Sequence, residues 1–458
     1  MVKKLSLHQK RRNARFHSIK EGIFASAKGS AGYQFISPFA IAINSSNSLV
    51  ALISSIAGLF APLSQLWGSK LMKTHSRKKI LLSMVFMEAL MWIPLILIAF
   101  LFFKNIIIST LPLLLLLWFA VYTFISNLGN PAWFSWMGDI VNKKKRGRFF
   151  SKRNLLMGFV SIILAIGFSY FLDYFKNLGW TMYGFMILFF LAIIMEIFRW
   201  QGFKLQYEPK IKLTEGNYFS FWQFLKEAPK NNFGKFAIYR FTFTMIATIS
   251  SSLLAIYLLK NLNLSYFMYM VVLLAGTFLS LLLIELWGKF ADKYGSYNTI
   301  KISSILMIFL PMLWVINPNP IYLIFVPSAL SGVAWAGFHI AENNFIYDNV
   351  GPQKRGLAIT YYNLFWGAGI FLGGLISAML IQYLNTTWIE PIILIFIIAS
   401  ILRFFVVAFG IRKLKEIRHT KEFKGIQSIG HLVLKEAKPT IQEEFRQVMH
   451  IGKYLKTK

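Results

Sequence analysis

The 458-residue chain contains no cysteine. That excludes disulfides, thiolate metal sites and thiol catalysis, and leaves the compartment open. Acid is scarce as well, with 18 Asp and Glu against 49 Lys and Arg, a formal net charge of +31. There is no Gly-x4-Gly-Lys phosphate loop, so ATP is not expected as the direct energy source, and no metal or other cofactor is expected. Charged residues of both signs make up only 15% of the chain, while 56% is hydrophobic and the mean hydropathy is +0.55. This is the composition of an integral membrane protein.

A helix needs roughly 20 apolar residues to cross about 30 Å of hydrocarbon. About twelve such stretches are found, near 22–44, 48–72, 80–103, 109–138, 152–174, 180–202, 236–259, 264–287, 299–316, 321–346, 358–383 and 388–411. Lipid cannot satisfy backbone amides and the runs are too long for barrel strands, so the expected fold is all-α.

The surplus of positive charge sits in alternate connections. Lys3 to Lys20, Lys70 to Lys79, Lys143 to Arg153, Lys204 to Lys235, Lys289 to Lys301, and Lys354 with Arg355 are basic. The intervening connections carry little charge, their acids being Asp173 and Glu390. This alternation places both termini and the basic connections in the cytoplasm of a cell-membrane protein, and reads the charge as topogenic, not as a nucleic-acid surface. The expected organisation is a basic terminus (1–21), a six-helix bundle (22–203), a linker with a short interfacial helix (204–234), a second six-helix bundle (235–412) and a cytoplasmic tail with helices of its own (413–458).

The two bundles are copies. Gln65-Leu66-Trp67-Gly68 is answered by Glu285-Leu286-Trp287-Gly288, 220 positions on. Asp139, Arg146-Gly147, Asn154 and Gly158 recur 209 positions on as Asp348, Arg355-Gly356, Asn363 and Gly367. Paired membrane halves commonly build two gates around one midplane site. The second copy continues Gly288-Lys-Phe-Ala-Asp292-Lys293-Tyr294-Gly295. The first keeps Gly68 and a basic cluster, Arg77-Lys78-Lys79, but has Met72 in place of the acid. In these motifs the chain resembles the major facilitator superfamily over about residues 20–412. The resemblance implies two pseudo-symmetric six-helix bundles, rocker-switch alternating access and no direct statement about cargo. It also implies cytoplasmic gate roles for Gly68, Arg77, Asp139 and Arg146 in the first half and for Gly288, Asp292, Asp348 and Arg355 in the second. Independently of the family, a glycine at a helix end lets the next helix approach, and a carboxylate there pairs with Arg or Lys. Topogenic charge is the competing account of these residues.

Ionisable residues inside spans are costly and attract functional interest. The tenth span holds His339, Glu342 and Asn343, with His339 and Asn343 on one helix face. A buried Glu beside an imidazole can load and pass a proton, although Glu342 is also near enough to the helix end to pair with a base there. In the fourth span Asn130 and Trp133 are the duplicates of His339 and Glu342, and Gly129 and Pro131 loosen the helix around them. Gln34 in the first span is a further candidate. Lys28 either snorkels or pairs with Glu88, Glu196 with Arg199 is read as a local ion pair, and Arg240 and Arg403 as inner-leaflet anchors. In the eleventh span, Gly369-x3-Gly373 marks close helix packing.

The expected function is a secondary transporter of a small solute, with protons the leading candidate for the coupling ion. A lipid translocase or transporter-like receptor is the alternative. An enzyme acting on lipid-linked substrates would need an acidic pair or His cluster in a wet loop, which the sparse outer connections do not supply. The partners expected are the solute and the surrounding lipid, without nucleic acid, and the internal two-fold favours a monomer.

Overall fold

A computed structural model describes residues 6–142, 146–209, 220–423, 425, 439–440 and 442. For His8, Arg146, Gly147, Arg148, Pro352, Gln353 and Gly356 it describes the backbone alone. Among the described residues there is no strand. The long helices are α1 (Leu7–Ala31), α3 (Asn47–Leu71), α4 (Arg77–Phe103), α5 (Leu111–Asn127), α6 (Asn130–Ile140), α7 (Arg146–Asn177) and α8 (Thr181–Leu205) in the first half. The second half has α10 (Asn232–Ser251), α12 (Tyr266–Tyr294), α13 (Ser296–Ile316), α15 (Ala329–Asn349), α16 (Pro352–Tyr383) and α17 (Pro391–Gly410). Short pieces complete the chain: α2 (Ile36–Ala42), α9 (Phe221–Glu227) in the linker, α11 (Leu254–Ile256) and α14 (Pro320–Leu323).

The helix starts follow from sequence chemistry. Ser46, Ser76 and Ser265 each accept a hydrogen bond from a backbone N–H in the first turn, satisfying donors that have no partner inside the helix. Gly295, at φ +93°, ends α12 in a conformation that other residues rarely adopt.

Among the described residues, 11 stretches are long and apolar enough to cross a membrane. The first expected span is not one of them because it is assembled from pieces. α1 begins among Lys10, Arg11, Arg12 and Arg15, and its apolar part passes through a 3-10 turn at Tyr33–Phe35 into α2. Three other crossings are interrupted: the fourth between α5 and α6 at Leu128 and Gly129, the seventh between α10 and α11, and the tenth by a π-helical turn at Ile324–Ser328 containing Pro327. The fourth break falls where Gly129 and Pro131 loosen the helix.

The halves meet along two seams, α3 against α16 and α7 against α12. Gly58 and Gly367 bring α3 and α16 together backbone to backbone: a Cβ on Gly58 would meet the Gly367 carbonyl at 2.5 Å. On another side of α16, Gly369 and Gly373 lie against the α10 backbone at Phe241 and Met245, the packing expected of the Gly-x3-Gly pair. Much of the linker and tail lies outside the described residues. The described part of the tail to residue 423 holds a 3-10 turn at Ile411–Lys413, and the helices expected beyond it fall mainly on positions outside the description.

Candidate functional site

The first half encloses a network of three acids and three bases contributed by α1, α4, α7 and α8. Lys28 pairs with Glu88, and its Nζ lies 3.1 Å from Glu196 Oε1. Arg199 Nη1 reaches Glu88 Oε2 at 2.9 Å and Glu196 Oε1 at 3.2 Å. Arg153 Nη2 reaches Glu21 Oε1 at 2.9 Å, with its guanidinium over the Trp133 ring. Glu21, Glu88 and Glu196 are buried. The formal charges cancel, which is what makes such a cluster tolerable in low dielectric. Lys28 is therefore paired and does not snorkel, and Glu196 with Arg199 belongs to a tertiary network wider than a local i,i+3 pair.

The second half holds a smaller cluster on α10, α15 and α16. Arg240 Nε lies 2.9 Å from Glu342 Oε1; the N–H does not point along this contact, so the attraction is between charges more than a directed hydrogen bond. Tyr362 donates its hydroxyl to Glu342, and His339 Nδ1 is 3.2 Å from Glu342 Oε2. Three rings, Trp335, Phe338 and Trp366, surround the Arg240 guanidinium at 4.7–5.5 Å from their centroids. A cavity of about 240 Å³ opens beside this cluster, with His339, Glu342 and Asn343 in its wall. Arg240 is 1% exposed and Arg403 6%, so neither anchors the protein at a leaflet surface.

The sequence candidates thus divide between the halves. His339, Glu342 and Asn343 come together at the cavity, and the Asn343 side chain also donates 2.9 Å back to the His339 carbonyl. Asn130, Trp133 and Gln34 do not line it. Asn130 donates to Asn127 Oδ1 at 3.0 Å, Trp133 Nε1 to Glu21 Oε1 at 3.1 Å and Gln34 Nε2 to Ser161 Oγ at 3.0 Å. Sequence reading missed Arg240 and Tyr362 as partners of Glu342, and Glu21 and Arg153 as partners of Trp133. Arg240 carried a signal, a lone guanidinium within an apolar run. Glu21 carried none, since it stands where the basic terminus gives way to the first span.

The gate candidates behave differently in the two halves. Arg77, fully buried, donates to Asp139 Oδ2 at 2.6 Å, Ser135 Oγ at 3.1 Å and the Pro209 carbonyl at 2.8 Å. Gly68 lies directly against the Leu128 carbonyl at the α5–α6 break. Around Gly288, no described residue comes within 4 Å of the place a methyl group would take, so the close approach expected there is not made. Asp292 Oδ1 is 3.5 Å from Arg418 Nη1 of the tail, and Asp348 shares the surroundings of Arg418 and Arg355. Arg355 donates to the Tyr347 and Val350 carbonyls at the end of α15, both at 3.0 Å. The Arg146 side chain lies outside the described residues.

Residues 22–229 and 236–451 match the family model described as Major Facilitator Superfamily. A search among curated proteins finds no sequence match. Solved structures of similar fold include the nucleoside transporter NupG, 15% identical with a TM-score of 0.63, the alignment covering 88% of this chain and 98% of that one. A bacterial homologue of the iron transporter ferroportin in an inward-facing state is 15% identical with a TM-score of 0.59, over 89% of this chain and 100% of that one. A bacterial homologue of the human lysosomal transporter Spinster, inward-facing and unoccupied, is 12% identical with a TM-score of 0.57, over 96% and 99%. With the family model matched through both halves, the chain belongs to the major facilitator superfamily and is a multi-pass membrane protein that acts as a secondary transporter of a small solute.

Proposed function

We propose that solute movement through this protein is coupled to protons at Glu342. The observation that carries the reading is the placement of that carboxylate between Arg240, Tyr362 and His339, with the imidazole half exposed at the cavity wall. A proton arriving on His339 can pass to Glu342 over 3.2 Å, and neutralising Glu342 releases Arg240 from its counter-charge. Arg240 then has its aromatic box and a new anionic or polar partner to choose between, which links protonation to cargo.

The two bundles, 22–203 and 235–412, rock as units about the seams, without an enzymatic step. The protein works as a monomer in the cytoplasmic membrane, solvated by lipid, with both termini and the basic connections inside. The hydrogen bonds that tie the halves together at the opposite face favour an inward-open arrangement: Lys260 Nζ reaches Asn47 Oδ1 at 3.0 Å, and Asp173 accepts from the Tyr266 and Phe267 amides at 2.8 Å.

The test uses purified protein in vesicles loaded with a pH-sensitive dye, presented in turn with small carboxylates, nucleosides and divalent cations. Wild type is expected to move protons with one of these classes and Glu342→Gln to lose that proton flux. Solute uptake that ignores the pH gradient and is equal in both proteins would overturn the reading.

A further inference from the structure

The buried charges of the two halves do not add up alike. In the first half Glu21, Glu88 and Glu196 are matched by Lys28, Arg153 and Arg199. In the second, Glu342 answers Arg240, and Arg403 on α17 is left over. Arg403 is 6% exposed. It donates to the Met307 carbonyl at 2.9 Å, the Ala247 carbonyl at 3.1 Å and Ser250 Oγ at 2.9 Å, all neutral acceptors. Among the described residues its buried Nε–H has no acceptor, and no carboxylate is near enough to compensate its charge. A guanidinium has five donors, so the three bonds leave two unused, with the full positive charge held well inside the bundle. Such a charge is expensive, and residues of this kind in membrane helices mark ligand sites or their counter-ions.

Arg403 stands in the wall of a second cavity, of about 400 Å³, between α10, α12, α13, α15 and α17. That volume lies within the range of small-molecule sites. Ser250, Ser280 and Ser331 supply hydroxyls to the lining, and Trp314 and Trp335 supply aromatic surface. His339 borders both this cavity and the smaller one beside Glu342.

We propose that this second cavity binds a small organic oxyanion, its carboxylate or phosphate group paired with Arg403 and its apolar body against Trp314 and Trp335. A carboxylate or phosphate supplies the counter-charge that the three neutral acceptors lack and accepts from the spare Nη1–H, both Nη2 hydrogens being held by Ala247 and Ser250. As a statement about cargo the proposal rests on the transporter reading above; as a statement about binding it stands apart from any coupling at Glu342.

The experiment is thermal unfolding of the full-length protein in detergent at constant ionic strength, with sodium benzoate, inorganic phosphate and the neutral isostere benzamide. At about 10 mM, a ligand of millimolar affinity is expected to raise the midpoint by about 2 °C. Benzoate or phosphate gives that rise in wild type and benzamide does not, the better of the two anions identifying which headgroup the site takes. Arg403→Met abolishes the response, and Arg403→Lys, which keeps the charge but has no donor to spare once the three neutral acceptors are met, weakens it. Should Arg403→Met fail to fold, Ser280→Leu, which fills the cavity and leaves Arg403 in place, must abolish the response instead. No rise with either anion, or an equal rise in the foldable variants, overturns the proposal. Binding through Arg403 together with proton-independent uptake would leave this site standing and remove the coupling role of Glu342. Proton-coupled uptake without anion binding would do the reverse.

Discussion

The carboxylate of Asp173, near the end of α7, accepts hydrogen bonds at 2.8 Å from the backbone amides of Tyr266 and Phe267, so an acid of the first half caps the first turn of α12 in the second. Cap and macrodipole both favour a negative charge there. Because the joint exists only while the halves are closed at this face, it weights the balance between conformations.

Removing it is expected to shift that balance. Loss of a cap costs about 1 kcal/mol, roughly fivefold in an equilibrium. Ser251 on α10 lies in the wall of the larger cavity, so Asp173→Ala should raise by about fivefold the rate at which a thiol reagent applied at the Asp173 face labels Ser251→Cys. The absence of native cysteine makes that measurement free of background labelling. An unchanged labelling rate would mean that the seams alone hold the face closed.

The six-member network of the first half makes a prediction about pairs. Glu88→Gln leaves Lys28 and Arg199 short of a counter-charge and is expected to destabilise by about 3–5 kcal/mol. Removing acid and base together, as Lys28→Met with Glu88→Met, should cost less than Glu88→Gln alone. Denaturation midpoints of the single and double variants decide it, and a double variant that is worse than the single contradicts the balance argument.

Gly68 and Gly288 are sequence equivalents with unlike surroundings. A methyl at Gly68 would collide with the Leu128 carbonyl, whereas at Gly288 it would meet no described residue within 4 Å. Gly68→Ala should lower the melting temperature and the yield of folded protein. Gly288→Ala, free of contact in a helix, should be neutral or stabilise by about 0.5–1 kcal/mol.

The tail supplies a cap of its own. Glu416 Oε2 accepts from the Tyr297 amide at 2.9 Å in the first turn of α13, and Phe423 packs against Phe290 and Tyr294. Glu416→Ala is expected to cost about 1 kcal/mol and to increase proteolysis in the α12–α13 connection, read by limited digestion. The absence of any change would confine the tail contacts to surface decoration.

What could be read from sequence was whatever local pattern encodes. The twelve crossings followed from runs of apolar residues, the fourth break from Gly129 and Pro131, and the Arg77 with Asp139 pair from a motif. Glu342 and His339 were legible as a cluster because they share one helix. Their partners Arg240 and Tyr362 were not, since α10 and α16 meet α15 only after folding. Arg403 illustrates the limit best. A lone arginine late in an apolar run resembles a snorkelling anchor, and nothing local reveals that its helix turns it inward toward Ala247 and Met307. The family pattern likewise promised equivalent glycines at 68 and 288, but a close approach depends on the neighbouring helix, and among the described residues only the first half provides one.

The bare glycine faces of α16 bear on how the protein can move. Where large side chains interlock, one helix cannot turn against another without climbing over a row of knobs. At Gly58 and Gly367 backbone rests on backbone, with the short, stiff side chains of Ile370 and Pro62 beside the contact. Such a contact behaves as a bearing: it resists separation, offers little friction to rolling, and loses that quality as soon as either glycine gains a side chain.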